Sequence, residues 1–264
     1  MKRSKAYVAA RRDAIIALLE SNGQMSVNAL AEHFEVSPLT IRRDLNQLET
    51  QQVLTHEHGS AILLNPLGRP AGSQQVRANK AIAREAARHI SDGECVFVSA
   101  SSTALGIISF ITAEDVTVIT NNGRVLQMDE TPNVTILLTG GEVRPPRASM
   151  TGDIAHDLVR RVTASKCFLG ASGISAKYGL ASATSPEPAV NALMIERSKE
   201  CIVVADSSKL GHESSFQFAS ADEVDLLITD TGATDAQVAE LEAYGLKRVV
   251  RVDPSLAAEA RRSL

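Results

Sequence analysis

The segment "SPLTIRRDLNQLE", residues 37–49, sets two adjacent arginines and two side-chain amides among apolar residues at helical spacing. A guanidinium fork can bond both acceptors on a guanine edge, and an Asn or Gln amide can pair with adenine. At about 100° per residue, Ile41, Leu45 and Leu48 share one face of such a helix. Leu39, Thr40, Arg42, Arg43, Asn46 and Gln47 then point outward, as candidates to read DNA. Ser37 is placed to cap the helix and Pro38 suits its first position, and both count with that row as candidates to contact DNA. Exposed arginine most often only meets water, so the reading depends on the elements around this segment.

A second group of residues follows short apolar, β-branched runs. "VFVSASSTAL" ends one such run with Ser99, Ser101, Ser102 and Thr103 before a helix-like stretch. Hydroxyls and backbone N–H groups at a helix start can hold an anion. Later runs end in "TNNG" with Asn121, "TGGEVR" with Gly140, Gly141 and Arg144, "LGASGIS" with Gly170 and Ser172, and "ADSSKLG" with Lys209. Any one of these is commonly a plain loop after a strand. Together they suggest a site for an anionic small molecule. None is a phosphate loop of the GxxxxGK type, and "GASGIS" lacks GxGxxG spacing, which disfavours nucleotide hydrolysis and dinucleotide binding. No cofactor is expected.

The elements that must position these residues fall into two blocks. In the first, Ala14, Ile15, Leu18 and Leu19 form a stripe closed by Gly23. Val27, Leu30, Ala31 and Phe34 form another behind a cap at Ser26, and only Glu35 and Val36 separate it from the 37–49 helix. Helix-turn-helix spacing results. "VLTHEHGSAILL" then reads as a hairpin, or wing. Residues 1–62 carry seven basic and seven acidic side chains, so this block is no generic polycation. Five of the cations, Lys2, Arg3, Lys5, Arg11 and Arg12, precede any acid and favour phosphate contacts.

Pro66, Gly68, Pro70 and Gly72 mark a linker. Beyond it, "CVFVS", "VTVIT", "VTILLTG", "KCFLGASG", "CIVVAD", "VDLLITD" and "RVVRV" alternate with helix-like stretches and predict a mainly parallel sheet. The expected fold class is α/β, with a small winged helix-turn-helix domain at 8–63 (motif 25–44), a linker at 64–78, an effector-sensing and oligomerisation domain at 79–252 and a tail at 253–264. The 264 residues are 44% hydrophobic, only 3% aromatic, and carry a net charge of -4. No apolar run approaches the ~18 residues of a membrane span, and no signal-peptide core follows the basic start, so a cytoplasmic protein is expected. Cys95, Cys167 and Cys201 sit in apolar runs and read as buried thiols. No metal site is suggested.

The motif "SPLTIRRDLNQLE" followed by "HEHGSA" resembles the recognition helix and wing of DeoR-family bacterial transcription regulators, and the likeness runs from about residue 8 to 250. In the wing His58 and Gly59 match, Ser60 replaces a glycine and His56 stands where arginine is common. The resemblance implies DNA contact by His58 and a C-terminal domain like a sugar-phosphate isomerase without catalysis. It also implies a phosphorylated effector, with Ser101, Ser102 and Thr103 as phosphate loop and Asn121, Gly140, Gly141, Arg144, Gly170 and Lys209 lining the pocket. The chain departs from the family at four positions: Ser99 for Asp, Ser101 for Gly, Ser172 for Asp and Asn191 for Lys, while Glu187 remains. A pocket more positive than usual would follow. The expected function is an operator-binding repressor of a carbohydrate or related operon, released by that effector and paired as a dimer or tetramer through 79–264. The alternative is an isomerase-like enzyme with an appended DNA-binding domain. It needs a carboxylate base, and only Glu187 offers one.

Overall fold

A computed structural model of the chain describes residues 5–50, 54–57, 59–63, 73–128, 131–143 and 148–255. They form two compact units, Met1–Arg77 and Ala78–Leu264.

The first unit is a winged helix-turn-helix. Helix α1 (Lys5–Asn22) buries Ile15 and Leu19 completely, one turn apart. It ends where the Gly23 N–H donates to the Leu19 carbonyl at 2.8 Å. Strand β1 (Gln24–Ser26) leads into α2 (Val27–His33), whose first turn is capped by Ser26 Oγ accepting from the Ala29 N–H at 3.1 Å. The tight turn to α3 (Pro38–Thr50) is closed by the Val36 N–H on the Ala31 carbonyl at 3.0 Å, with Glu35 in the left-handed region at φ 50. Strands β2 (Leu54–Glu57) and β3 (Ser60–Leu63) pair antiparallel, and β1 adds to the far edge of β3. The wing sheet thus has three strands rather than the two of a hairpin. Three residues of β1 are too few to show a period-two pattern.

The second unit is built on a seven-stranded parallel sheet. Its strands are β4 (Cys95–Val98), β5 (Val116–Thr120), β6 (Val134–Leu138), β9 (Ala164–Leu169), β12 (Ser198–Val204), β14 (Leu226–Asp230) and β15 (Val249–Val252), with two-residue β7 (Glu142–Val143) and β8 (Met150–Thr151) pairing outside it. The central runs are mainly apolar because both faces of the sheet are covered there, whereas edge strand β6 leaves Leu137 exposed. Phe97, Cys167, Cys201 and Leu227 pack into one core layer, while Val96, Phe168, Ile202 and Ile228 pack into the other. Helices α4 (Ser73–Ala87) and α5 (Ser102–Gly106) cover the second layer; α6 (Asp153–Arg160), α7 (Glu187–Glu196) and α8 (Asp235–Ala243) cover the first. A small antiparallel sheet of β10 (Gly173–Ser175), β11 (Gly179–Ser182) and β13 (Phe216–Ala219) completes the unit.

Helix α4 begins at Ser73, well inside the stretch whose composition reads as linker, because "SQQVRANKAIAREAA" contains neither Gly nor Pro. Within "AVNALMIERSKE", whose first part has helical spacing, α7 stops at Glu196 and Ser198 already belongs to β12. Cys167 and Cys201 sit side by side on β9 and β12. Their mutual hydrogen bond and burial push the Cys201 thiol well up, and burial alone pushes up Cys95. These are packing thiols rather than nucleophiles.

The sheet order is β15-β14-β12-β9-β4-β5-β6. From β4 the chain moves outward through β5 and β6, then returns to β9 on the other side of β4 and continues outward. The C-terminal ends of β4 and β9 therefore flank the point where the winding reverses, which is where open α/β sheets bind ligands.

Candidate functional site

Helix α3 has two distinct sides. Ile41 and Leu45 are fully buried and Leu48 nearly so, each contributing roughly 1.5–3 kcal/mol of apolar burial. Leu39, Arg42, Arg43, Asn46 and Gln47 are exposed and Thr40 is half-buried. Leu39, at 57% exposure, is an apolar side chain offered to solvent beside polar ones, suited to a thymine methyl. Ser37 caps the helix through its Oγ, which accepts from the Thr40 N–H at 3.3 Å and lies 2.9 Å from Thr40 Oγ1. That cap and Pro38 at the first position fix where the exposed row starts. His58 lies outside the described residues, as do the side chain of His56 and those of Lys2, Arg3 and Lys5.

Of the basic residues at the start of the chain, Arg11 and Arg12 are held by a carboxylate. Asp44, on α3 and almost fully buried, accepts from Arg11 Nε at 2.7 Å and from Arg12 Nε at 3.0 Å. Arg11 is itself buried and its guanidinium also lies 5.5 Å from the Tyr7 ring. An acid far away in sequence thus holds both arginines: Arg11 is buried on it and is not free to meet phosphate, while the Arg12 side chain stays 28% exposed. No local sequence signal reveals a pair separated by more than thirty residues.

In the second unit, the expected effector residues gather along the C-terminal edge of the parallel sheet. Ser99 follows β4 and is 1% exposed. Its Oγ accepts from the Gly170 N–H at 3.2 Å, across the reversal point to the loop after β9. Ser101 caps α5, its Oγ accepting from the Ala104 N–H at 3.4 Å, and Ser102 and Thr103 form the first turn. Ser101 also leaves no room above Gly170, where an added Cβ would stand 2.1 Å from Ser101 Oγ and 2.3 Å from its Cβ. Gly170→Ala should therefore cost about 1–3 kcal/mol through overpacking. Ser101→Gly in the same chain should recover most of that loss. Urea titration of the two single variants and the double variant checks this, and additive losses would show that the two residues do not meet.

Asn121 follows β5 and is fully buried. Its Nδ2 donates to the Met150 carbonyl at 3.1 Å, which fixes the amide's orientation, and its Oδ1 has no hydrogen-bond partner among the described residues. Gly141, at φ +111, lets the chain pass so close to Thr151 that a Cβ would lie 2.4 Å from the Thr151 carbonyl oxygen. Gly140 precedes it, while Arg144 lies outside the described residues. Ser172 Oγ accepts from the Ala183 N–H at 3.1 Å, and Ser182 donates to Glu187 Oε2 at 2.7 Å. Asn191, one turn after Glu187 on α7, is buried. Glu187 is therefore already engaged by a hydroxyl.

Lys209 follows β12, half-buried, with Nζ 4.0 Å from Asp206 Oδ2. Asp206 is buried and also accepts from the Ser208 N–H at 3.1 Å and from the Ser208 hydroxyl. A buried carboxylate thus stands in the same loop as the Lys209 ammonium. Sequence reasoning passed over Asp206, and also Asp230, which holds the same loop by accepting from Ser207 N–H at 2.7 Å and Ser207 Oγ at 2.9 Å. It also passed over Arg124, just beyond the "TNNG" turn, whose guanidinium is pushed down from its ordinary value by burial. A basic residue directly after a strand-end turn was the available signal. Among the described residues no group of three His, Cys, Asp or Glu side chains could hold a metal. Among the described residues no helix is long and apolar enough to cross a membrane.

Two family models match the chain: a DeoR-like helix-turn-helix domain over residues 11–66 and a DeoR C terminal sensor domain over residues 74–231. The HTH-type transcriptional regulator GlpR of Haloferax volcanii is 32% identical over 246 residues, covering 90% of this chain and 96% of that protein. The glycerol-3-phosphate regulon repressor of Escherichia coli is 31% identical over 228 residues, covering 83% and 90%. Among solved structures, ribose 5-phosphate isomerase A of Methanocaldococcus jannaschii aligns at 14% identity and a TM-score of 0.36, over 50% of this chain and 52% of that one. A likeness that slight carries no functional weight.

Proposed function

We propose, from the premise that the chain belongs to the DeoR family of transcriptional regulators, that an anionic, phosphorylated small molecule releases it from its operator. The chain is a DNA-binding transcription regulator of the repressor type and not an enzyme. The genes it would control are those of carbohydrate or related catabolism, and it would act in the cytoplasm. One observation carries the DNA side of this reading: α3 exposes Arg42, Arg43, Asn46 and Gln47 directly behind a fully buried Ile41 and Leu45.

Arg43 lies nearly opposite that buried face, so we assign it a base contact. Arg43→Ala should cost roughly 1–3 kcal/mol on the preferred duplex and relax one position of it. Duplexes selected from a random library with the full-length protein supply the test. An equal loss on preferred and random DNA would reduce Arg43 to a phosphate contact. A single winged helix buries little DNA surface, so dimers or tetramers on repeated half-sites are expected, paired through 79–264. That fragment sedimenting as a monomer at micromolar concentration would overturn the pairing.

The effector side rests on the loops at the C-terminal sheet edge. Ser102 and Thr103, the turn at Gly140 and Gly141, and Lys209 offer donors and a cation to phosphate oxygens. The orphaned Oδ1 of Asn121 would accept a ligand hydroxyl. The name of the Escherichia coli relative suggests where to begin: glycerol 3-phosphate within a panel of phosphorylated sugars and polyols. A ligand that raises the thermal midpoint and lowers DNA affinity would support the reading, while a panel without such a ligand would remove it.

A further inference from the structure

The pairing of α1 with α3 is unbalanced in charge. One carboxylate, Asp44, receives two guanidinium groups, and its side chain is only 3% exposed. A single arginine would neutralise it, and Arg11, at 6% side-chain exposure and 2.7 Å, already does so from within the core. The second arginine adds a like charge beside the first, which opposes folding and so calls for another explanation. Arg12 differs from Arg11 in one respect that matters: its side chain is 28% exposed. Its bond to Asp44 is made by Nε, which leaves the terminal nitrogens of a rigid, planar fork with donors not used on that carboxylate.

The position of Asp44 on α3 says where Arg12 stands. Measured from Ile41, Asp44 lies about 60° around the helix, and Thr40, Gln47 and Arg43 follow on the same side at about 100°, 120° and 160°. Asp44 thus marks the margin between the core face and the exposed row. An arginine docked there stands beside the exposed row, on its flank, where the sugar-phosphate backbone borders a groove occupied by the helix.

We propose that Arg12 is a backbone-phosphate contact for DNA, held in register with the exposed row of α3 by Asp44 as positioning residue. The proposal rests on the DNA-binding reading above and adds a cation from α1 to it. A guanidinium already fixed at Nε gives up little side-chain freedom when it binds an anion, so its contact is stronger than that of a free surface arginine. Because a phosphate contact carries no sequence information, its loss weakens all duplexes alike.

The test is the salt dependence of DNA binding by the full-length chain, on the duplex it selects from a random library and on a mixed-sequence duplex of equal length. Losing one phosphate contact lowers the magnitude of the slope of log Kobs against log salt by about 0.9. Arg12→Ala should show that decrease on both duplexes, with the same fold-loss of affinity on each. Arg12→Lys should restore the slope, because it returns the charge. Should Arg12→Ala not fold, Arg12→Gln removes the charge while keeping an N–H donor near the Nε position that faces Asp44, and the same decrease is expected. A purely structural Arg12 would shift the thermal midpoint and leave the slope at its parental value, and that result overturns the proposal. A parent chain whose affinity for DNA does not depend on salt would instead overturn the DNA-binding reading itself.

Discussion

Asp44→Asn should destabilise the N-terminal unit by about 3–5 kcal/mol, the cost of removing one partner from a buried ion pair. The substitution keeps the shape of the side chain but takes away its charge and one of the two acceptor oxygens that the arginines use. Arg11, at 6% side-chain exposure, is then left inside the core without a counter-ion, and Arg12 repels it. A unit of this size has a total stability of only about 4–12 kcal/mol at the usual 0.05–0.15 kcal/mol per residue. Much of it would therefore go. Urea unfolding followed by circular dichroism should show an early transition for this unit, with DNA affinity lost at the same denaturant concentration. Adding Arg11→Met should recover part of the loss, because an apolar side chain of similar length can fill the buried site without needing a charge. A shift below 1 kcal/mol for Asp44→Asn would mean that water reaches this pair despite its burial.

The same pair shows where sequence reasoning stops. The exposed and buried sides of α3 were legible because one helical period decides both, and Ser37 announces where the period begins. Asp44 sits between those sides at a position whose character depends on α1, and a polar residue there looks like one more surface charge. The seven strands of the main sheet were legible for a different reason. Burial on both faces demands continuous runs such as "VDLLITD" and "CIVVAD", and few surface elements have such runs. The smaller sheet of β10, β11 and β13 was not, since strands such as "GIS" and "GLAS" are short, carry small residues and show no alternation. Strand order lies beyond local pattern altogether. That the loops after β4 and β9 are neighbours follows from the return crossover, and only the structure reveals that Ser99 and Ser101 meet Gly170. The loop residues themselves were recognisable as strand ends rich in hydroxyls and glycine; which hydroxyls are already used inside the protein was not.

Lys209→Ala is expected to weaken binding of a phosphorylated effector by roughly 10- to 150-fold, which corresponds to one charge-assisted hydrogen bond to a phosphate oxygen. Lys209 is half-buried in the loop after β12, and its charge partner among the described residues, Asp206, stands at 4.0 Å, beyond hydrogen-bond reach. Its ammonium donors can therefore turn to a ligand without breaking a strong bond. Asp206 remains satisfied in the variant by the Ser208 N–H and hydroxyl, so the loop should keep its form. DNA affinity without effector should stay near the parental value, because the exposed row of α3 belongs to the other unit. Release should then need a correspondingly higher effector concentration, provided the effector prefers the DNA-free state; a ligand with equal affinity for both states shifts nothing. Calorimetry with the best phosphorylated ligand from the thermal-shift panel measures the first quantity, and a DNA-release titration the second. Unchanged effector affinity would place the phosphate elsewhere along the sheet edge, nearer Ser102 and Thr103. Loss of DNA affinity in the absence of effector would mean that this loop already biases the DNA-binding state on its own.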